Sequence, residues 1–166
     1  MEHDLSMTVK ELQIRKALSS DDQDIFIWRN DSDSRKNSIT THKISKSEHQ
    51  EWFRKKLSSK DTDIYIGYQL NTKIGVVRIE KQHDNSAEIN ITINPSQRNK
   101  GYGTELLSKA IKISFNKYDI LTARIKKSNF ASIKMFEKVG FHKKGEDDNI
   151  LLYQINKEKY IIEDFE

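Results

Sequence analysis

The chain contains no cysteine in its 166 residues. A disulfide framework, a thiolate zinc site and a cysteine nucleophile are therefore excluded. Proline occurs once, at Pro95, and glycine six times, so no linker marks a domain boundary. With no internal repeat or low-complexity stretch, residues 1–166 are expected to form one domain around one core. No apolar run approaches the roughly 20 residues of a membrane helix, and the opening MEHDLSMTVKE has no apolar segment of a secretion signal. The expectation is a cytoplasmic protein without a membrane partner. The five histidines, His3, His42, His49, His83 and His142, show no helical pair spacing, which argues against a metal site. The charge surplus is small, 29 basic against 25 acidic residues for a net +4. That balance suits a pocket for an anionic ligand at least as well as a nucleic-acid surface, and no recurrent nucleic-acid module is present, so no nucleic-acid partner is expected.

What the sequence does have is the run AEINITINPSQRNKGYGTELL, from Ala87 to Leu107. Ile89, Ile91 and Ile93 alternate as in a strand, and Asn94-Pro95-Ser96 breaks the alternation. Gly101 and Gly103 then permit close backbone approach, while Arg98 and Lys100 add positive charge. Leu106, Leu107, Ala110, Ile111 and Phe115 recur at helical spacing. The free N–H groups of that helix's first turn face back over the loop, and strand, basic glycine loop and helix start together make a seat for a phosphorylated ligand.

Around this run, Leu12 to Arg15 reads as a first strand beginning near Thr8. Ser19-Ser20-Asp21-Asp22 offers N-cap chemistry for a helix with Ile25, Phe26 and Trp28, ending near Asn30-Asp31. Residues 29–43 read as a long polar connection, of the kind that is functional or mobile. Ser45 and Glu48 form a capping box for a helix through His49, Trp52 and Phe53 to about Leu57. Trp52 is expected to pack, whereas His49 has two readings of equal weight, packing or lining a cleft. Asp63 to Leu70, Lys73 to Glu80 and Ser86 to Ile93 form an antiparallel meander. Ile120 to Ile125 is a strand that a right-handed crossover can lay parallel to its predecessor. A helix over Asn129 to Val139, stopped by Gly140, precedes two strands, from Phe141 and over Asn149 to Ile155, around a turn at Gly145 to Asp148. The charged tail carries Tyr160, Ile161, Ile162 and Phe165 for docking on the body.

Arg98-Asn99-Lys100-Gly101-Tyr102-Gly103 resembles the Arg/Gln-x-x-Gly-x-Gly/Ala signature with which GNAT-family N-acetyltransferases hold the pyrophosphate of acetyl-CoA. Asn129 to Phe141, NFASIKMFEKVGF, resembles the family's second signature, Asn-x-x-Ala/Ser-x-x-x-Tyr/Phe-x-Lys-x-Gly-Phe. Both motifs occur in order within a matching element pattern over nearly the whole chain. The resemblance implies an α/β (α+β) domain with a central mixed, mostly antiparallel sheet of about seven strands, helices on both faces and a splayed parallel strand pair that admits CoA. It implies acetyl-CoA as cosubstrate, no metal, and cofactor contacts from Ile91, Ile93, Arg98, Asn99, Lys100, Gly101, Tyr102, Gly103, Thr104, Asn129 and Phe136. Many relatives carry a tyrosine where this chain has Phe136, which cannot donate a proton to the departing thiolate. Tyr153, Tyr102 or a water would replace it, or the thiolate leaves unassisted. Glu88 matches a glutamate that takes the proton of the substrate ammonium in some relatives, and as read from the strand alone it is equally an exposed edge charge. A backbone N–H near Ile93, freed by a local strand distortion, is implied as the oxyanion donor.

The N-terminal portion sets the acceptor in this family. Trp28-Arg29-Asn30-Asp31, Arg35-Lys36-Asn37-Ser38, Glu48-His49 and Trp52-Phe53 resemble acetyltransferases of nucleotide-linked 4-amino sugars, including those of pseudaminic and related nonulosonic acid pathways. Less closely they resemble the branch that acetylates ribosomal-protein N-termini. A non-catalytic CoA-binding regulatory domain is a third reading. The substrate contacts implied are Arg29, Asn30, Arg35, His49 and Trp52, the partner is a small-molecule amine, and the assembly is a monomer or homodimer.

Overall fold

The computed structural model describes residues 11–163, and its framework is seven strands: β1 (Gln13–Lys16), β2 (Thr62–Gln69), β3 (Thr72–His83), β4 (Ser86–Ile93), β5 (Ile120–Lys126), β6 (His142–Asp147) and β7 (Ile150–Asn156). They form one sheet in the order β1-β2-β3-β4-β5-β7-β6. Every neighbouring pair is antiparallel except β4 and β5. The helices are α1 (Asp22–Asn30), α2 (Ser32–Asn37), α3 (Lys46–Ser58), α4 (Tyr102–Ser114), α5 (Phe130–Lys138) and α6 (Lys157–Glu163). None of them is long and apolar enough to cross a membrane.

Strand alternation divides the apolar residues between two faces of the sheet. On one face Ile64, Ile66 and Val76 meet Ile25 and Trp28 of α1 and Phe53 of α3. On the other, Val77, Ile79, Ile89, Leu121, Ala123, Ile125, Leu151, Tyr153 and Ile155 meet the buried stripe of α4, Leu106, Leu107, Ala110 and Ile111, together with Phe136 of α5. Tyr160 of α6 lies 5.3 Å from the Phe115 ring. The expectation for Ile161, Ile162 and Phe165, and that for Thr8, lies outside the described side chains.

Several local expectations need correction. The connection over residues 29–43 contains α2, because Asp31 accepts a hydrogen bond from Ser34 N at 3.1 Å and starts a helical turn. The last hairpin turns at Asp148-Asn149, and Gly145 sits inside β6, where the register with β7 shifts between Lys143 and Gly145. Asp21 does not cap α1 with its side chain. Instead its carboxylate is fully buried, accepting from Arg15 Nη1 and Nη2 at 2.8 and 2.9 Å and from Leu18 N at 2.7 Å, with Lys73 Nζ at 2.8 Å. One carboxylate thereby ties β1, β3 and the start of α1.

Burial alone would raise the Asp21 pKa, but the hydrogen bonds from Arg15, Leu18 and Lys73 outweigh it and hold the group far below the ordinary carboxylate range. A depressed folded-state pKa contributes stability that is complete above the unfolded-chain value of about 3.9 and is lost as pH falls from there toward the folded value. Asp21→Asn is expected to destabilise the fold by about 2–4 kcal/mol at pH 7, since it leaves Arg15 and Lys73 without their buried counter-charge. In urea titrations the gap between wild type and variant should be constant from pH 7 to pH 5 and shrink below about pH 4. A gap that does not change with pH would show that the Asp21 charge contributes nothing.

Candidate active site

β4 and β5 are paired only at Ser86–Ile120, Ala87–Leu121 and Glu88–Thr122. Beyond Glu88 the two strands part, and a cleft of about 660 Å³ opens between them. Its walls include Ile89, Ile91 and Ile93 of β4, Ala123 and Ile125 of β5, Gln97 to Asn99 and Gly101 to Gly103 of the loop and the start of α4, Asn129, and Ser132, Met135 and Phe136 of α5. On the other side of the sheet it continues to Arg29, the α2 segment, Trp52, Arg78, Glu88 and Arg124. The passage therefore runs through the sheet and joins two chemically different ends.

The β4 edge of the splay carries backbone donors. Asn94 N bonds Ile74 O of β3 at 2.8 Å, and strand alternation then turns the N–H groups of Ile91 and Ile93 the opposite way, into the gap that β5 has left. The expected strand distortion in β4 is absent: its register with β3 is continuous from Glu88 to Ile93. Divergence from β5, not a bulge, is what frees these groups.

At the far end of the splay the loop adopts the form of an anion seat. Asn99 and Gly101 both have positive φ, 61° and 80°. Gly101 is the N-cap of α4 and supplies no side-chain acceptor, so the first-turn N–H groups stay available. A Cβ at Gly101 would meet nothing within 4 Å, whereas one at Gly103 would come within 2.8 Å of Met135 Sδ. The first glycine keeps open the space in front of the helix, and the second lets α4 and α5 pack. Arg98, Asn99, Gly101, Tyr102 and Gly103 line the cleft, while Lys100 and Thr104 do not. Asn129 lines it while capping α5, its Oδ1 accepting from Ser132 N at 3.2 Å. The loop backbone, the α4 amides and Asn129 fit a diphosphate-bearing thioester.

Phe136 lines the cleft and is held edge-on against Phe141, ring centres 5.0 Å apart. Tyr153 does not reach the cleft. It is buried, its hydroxyl donates to Glu137 Oε1 at 2.8 Å, and burial followed by that carboxylate raises its pKa. As a proton donor to a leaving thiolate it is misplaced. Tyr102 borders the cleft, but its hydroxyl donates to Gln69 Oε1 at 2.9 Å.

On the face of the sheet that carries α1 and α3, Glu88 faces the cleft and is gripped by Arg124, whose Nε and Nη2 donate at 2.7 and 3.0 Å. Arg29 lies with its guanidinium carbon 4.9 Å from the Trp52 ring centre, and that of Arg78 is 5.2 Å from it. Arg78 is ion-paired with Glu80; among the described residues Arg29 has no carboxylate partner. Burial first, and Arg78 second, push the Arg29 pKa down.

Three expected acceptor residues lie elsewhere. His49 is fully buried, 2.8 Å from Asp22 Oδ1 and nearly parallel to the Phe53 ring. Burial outweighs the Asp22 attraction and lowers its pKa, so it is a core aromatic. The Asn30 amide clasps the Ile44 backbone, donating to O at 2.8 Å and accepting from N at 2.9 Å. The Arg35 Nε donates to Asn30 O at 3.2 Å, away from the cleft. Conversely, Arg78 and Arg124 escaped the sequence reading. Their signal was there: each alternates with residues of the buried face and so stands on the opposite face of its strand, beside the splay.

The sequence matches the acetyltransferase (GNAT) domain model over residues 11–142. No curated protein matches it. Among solved structures, the spermidine N-acetyltransferase from Vibrio cholerae in complex with CoA and spermine superimposes with a TM-score of 0.82 at 20% identity, covering 90% of this chain and 98% of that one. A domain from Methanocaldococcus jannaschii DSM 2661 gives 0.77 at 26% identity, with 89% and 99% covered. An aminoglycoside acetyltransferase in complex with coenzyme A gives 0.79 at 19% identity, with 92% and 98% covered. The likenesses below 25% identity speak to the fold alone. Among the described residues no group of three His, Asp or Glu side chains could hold a metal ion. Since the family model spans most of the chain and the splayed pair, the glycine loop and the second signature all fall where that family needs them, the protein belongs to the GNAT acetyltransferases, CoA-dependent N-acetyltransferases.

Proposed function

We propose that this N-acetyltransferase acts on the primary amine of an anionic acceptor, namely the 4-amino group of a nucleotide-linked amino-deoxy sugar of the nonulosonic acid type. Acetyl-CoA, when bound, supplies the acetyl thioester. The residues that would hold it are the backbone of Asn99 to Gly103 for the phosphates, Ile91 and Ile93 along the arm, and Asn129 and Phe136 beside it. The open N–H groups of Ile91 and Ile93 suit the oxyanion of acyl transfer. Glu88, steered into the cleft by Arg124, accepts the proton that the amine must lose, directly or through water. With Phe136 in place of a tyrosine and Tyr153 turned away, water or unassisted departure serves the thiolate.

The observation that carries the acceptor is Arg29: of the four arginines that line the cleft, Arg78, Arg98 and Arg124 are paired with Glu80, Asp31 and Glu88, and among the described residues Arg29 alone has no carboxylate partner. Arg29 is half-buried and next to a second guanidinium. An anion relieves that arrangement, and a guanidinium can bind two phosphate oxygens at once. Trp52, half-buried, supports both guanidinium groups and lines the same part of the cleft. A polyamine or a protein N-terminus would instead bring further positive charge to these arginines.

Three outcomes are expected. Gly101→Val should weaken CoA binding in calorimetry by at least about tenfold, by straining the loop at a positive φ and by filling the space before the α4 amides, while circular dichroism stays that of the wild type; wild-type affinity would overturn the phosphate seat. Glu88→Gln should lower kcat about 100-fold near neutral pH with little change in acetyl-CoA affinity. An unaltered kcat when chemistry limits turnover would leave Glu88 as a partner of Arg124 only. Finally, Arg29→Ala should raise KM for a UDP-linked 4-amino sugar about tenfold or more and KM for acetyl-CoA little. Calorimetry on the CoA-bound wild type should detect UDP-amino sugar binding; binding of spermidine or N-terminal peptides without it would replace this acceptor.

A further inference from the structure

We infer that Arg98 is a positioning residue, whose guanidinium fastens helix α2 across the cleft and leaves the phosphates of CoA to the loop backbone. This rests on the reading of the cleft as the shared cofactor and acceptor site. Arg98 Nη1 donates to Asp31 Oδ2 at 2.9 Å and Nη2 to Ser34 Oγ at 2.6 Å. Both terminal nitrogens are thus engaged by the N-terminal turn of α2, 64 and 67 residues away in sequence. The same Asp31 carboxylate caps α2.

α2 has little else to hold it. Its six residues include none that is buried, and an isolated helix of that length is unstable. The segment that carries it is closed at its base by the Asn30 clasp on Ile44. At the other end of the helix, Lys126 Nζ of β5 donates to Lys36 O at 3.0 Å. The strap is therefore fastened at both ends by cations from the two sides of the splay, the loop after β4 and the end of β5. It supplies Asp33, Ser34, Asn37, Ser38, Ile39 and Thr40 to the cleft wall. Release of Arg98 would free the wall of the acceptor end while leaving the positive-φ loop and the α4 amides intact.

The test compares Arg98→Ala, Asp31→Ala and the double variant in the full chain. Amide hydrogen exchange over residues 32–38 should accelerate roughly tenfold or more in each single variant. CoA affinity by calorimetry should stay within about threefold of wild type, and the double variant should fall short of the sum of the two single effects on exchange, because both single variants lose the Arg98–Asp31 bond. With acetyl-CoA saturating and a UDP-amino sugar as acceptor, KM for the acceptor should rise about tenfold with kcat within about threefold. Arg98→Lys, which puts a single nitrogen in place of the two that reach Asp31 and Ser34, should exchange at an intermediate rate. Wild-type exchange in Arg98→Ala together with a tenfold loss of CoA affinity would overturn the inference and make Arg98 a phosphate ligand. The exchange and CoA measurements use no acceptor, so an error in the acceptor's identity leaves them standing.

Discussion

The parting of β4 from β5 is the constraint on which the rest of the molecule depends. Three paired residues hold the two strands together at one end, and past Glu88 each must satisfy its inner backbone groups without the other. Unpaired strand groups inside a fold are unfavourable unless something bonds them. The helices keep the gap from closing: α4 fills the face beside β3 and β4, and α5 packs against α4 where Gly103 meets Met135. An opening through a sheet thus becomes a permanent feature, with donors along one edge and a helix N-terminus at its mouth.

The two ends of that opening differ in how they handle positive charge. At the loop end the donors are backbone amides, fixed by two positive-φ residues and an uncapped helix, and they need no side chain to reorganise. At the other end the charge is on side chains, restrained by partners: Glu88 holds Arg124, Glu80 pairs with Arg78, and Trp52 supports Arg29. Arg98 stands between the two ends. It grows from the loop yet gives its hydrogen bonds to Asp31 and Ser34 at the start of α2, so the α2 wall of the cleft is anchored to the glycine loop.

Packing decides which aromatic side chains line the cleft and which do not. His49 and Trp52 share a face of α3, but His49 is sealed among Phe26, Phe53 and Asp22 while Trp52 reaches the cleft. Tyr153 and Phe136 both pack in the main core, and only the residue without a hydroxyl reaches the site. Asp21 is as deeply buried as any leucine of the core, tolerated there because two cations and a backbone N–H surround it.

By itself the sequence determined the seven strands and most helices, the capping box at Ser45, the buried stripe of α4 and the glycine loop. All of these follow from periodicity and local backbone chemistry acting over a few residues. It also marked both family signatures, because glycines and a capping asparagine are required at set spacings wherever that loop is built. Tertiary structure alone decided which polar side chains meet. Arg98 finds Asp31 across more than sixty residues, Glu88 finds Arg124 only because β5 lies parallel to β4, and His49 is lost to the core because α1 closes over it. The polar segment over residues 29–43 carries no apolar period to declare α2 or its direction. Its helix exists through a cap and two distant cations, and interactions that join remote parts of a chain leave no pattern in the neighbouring sequence.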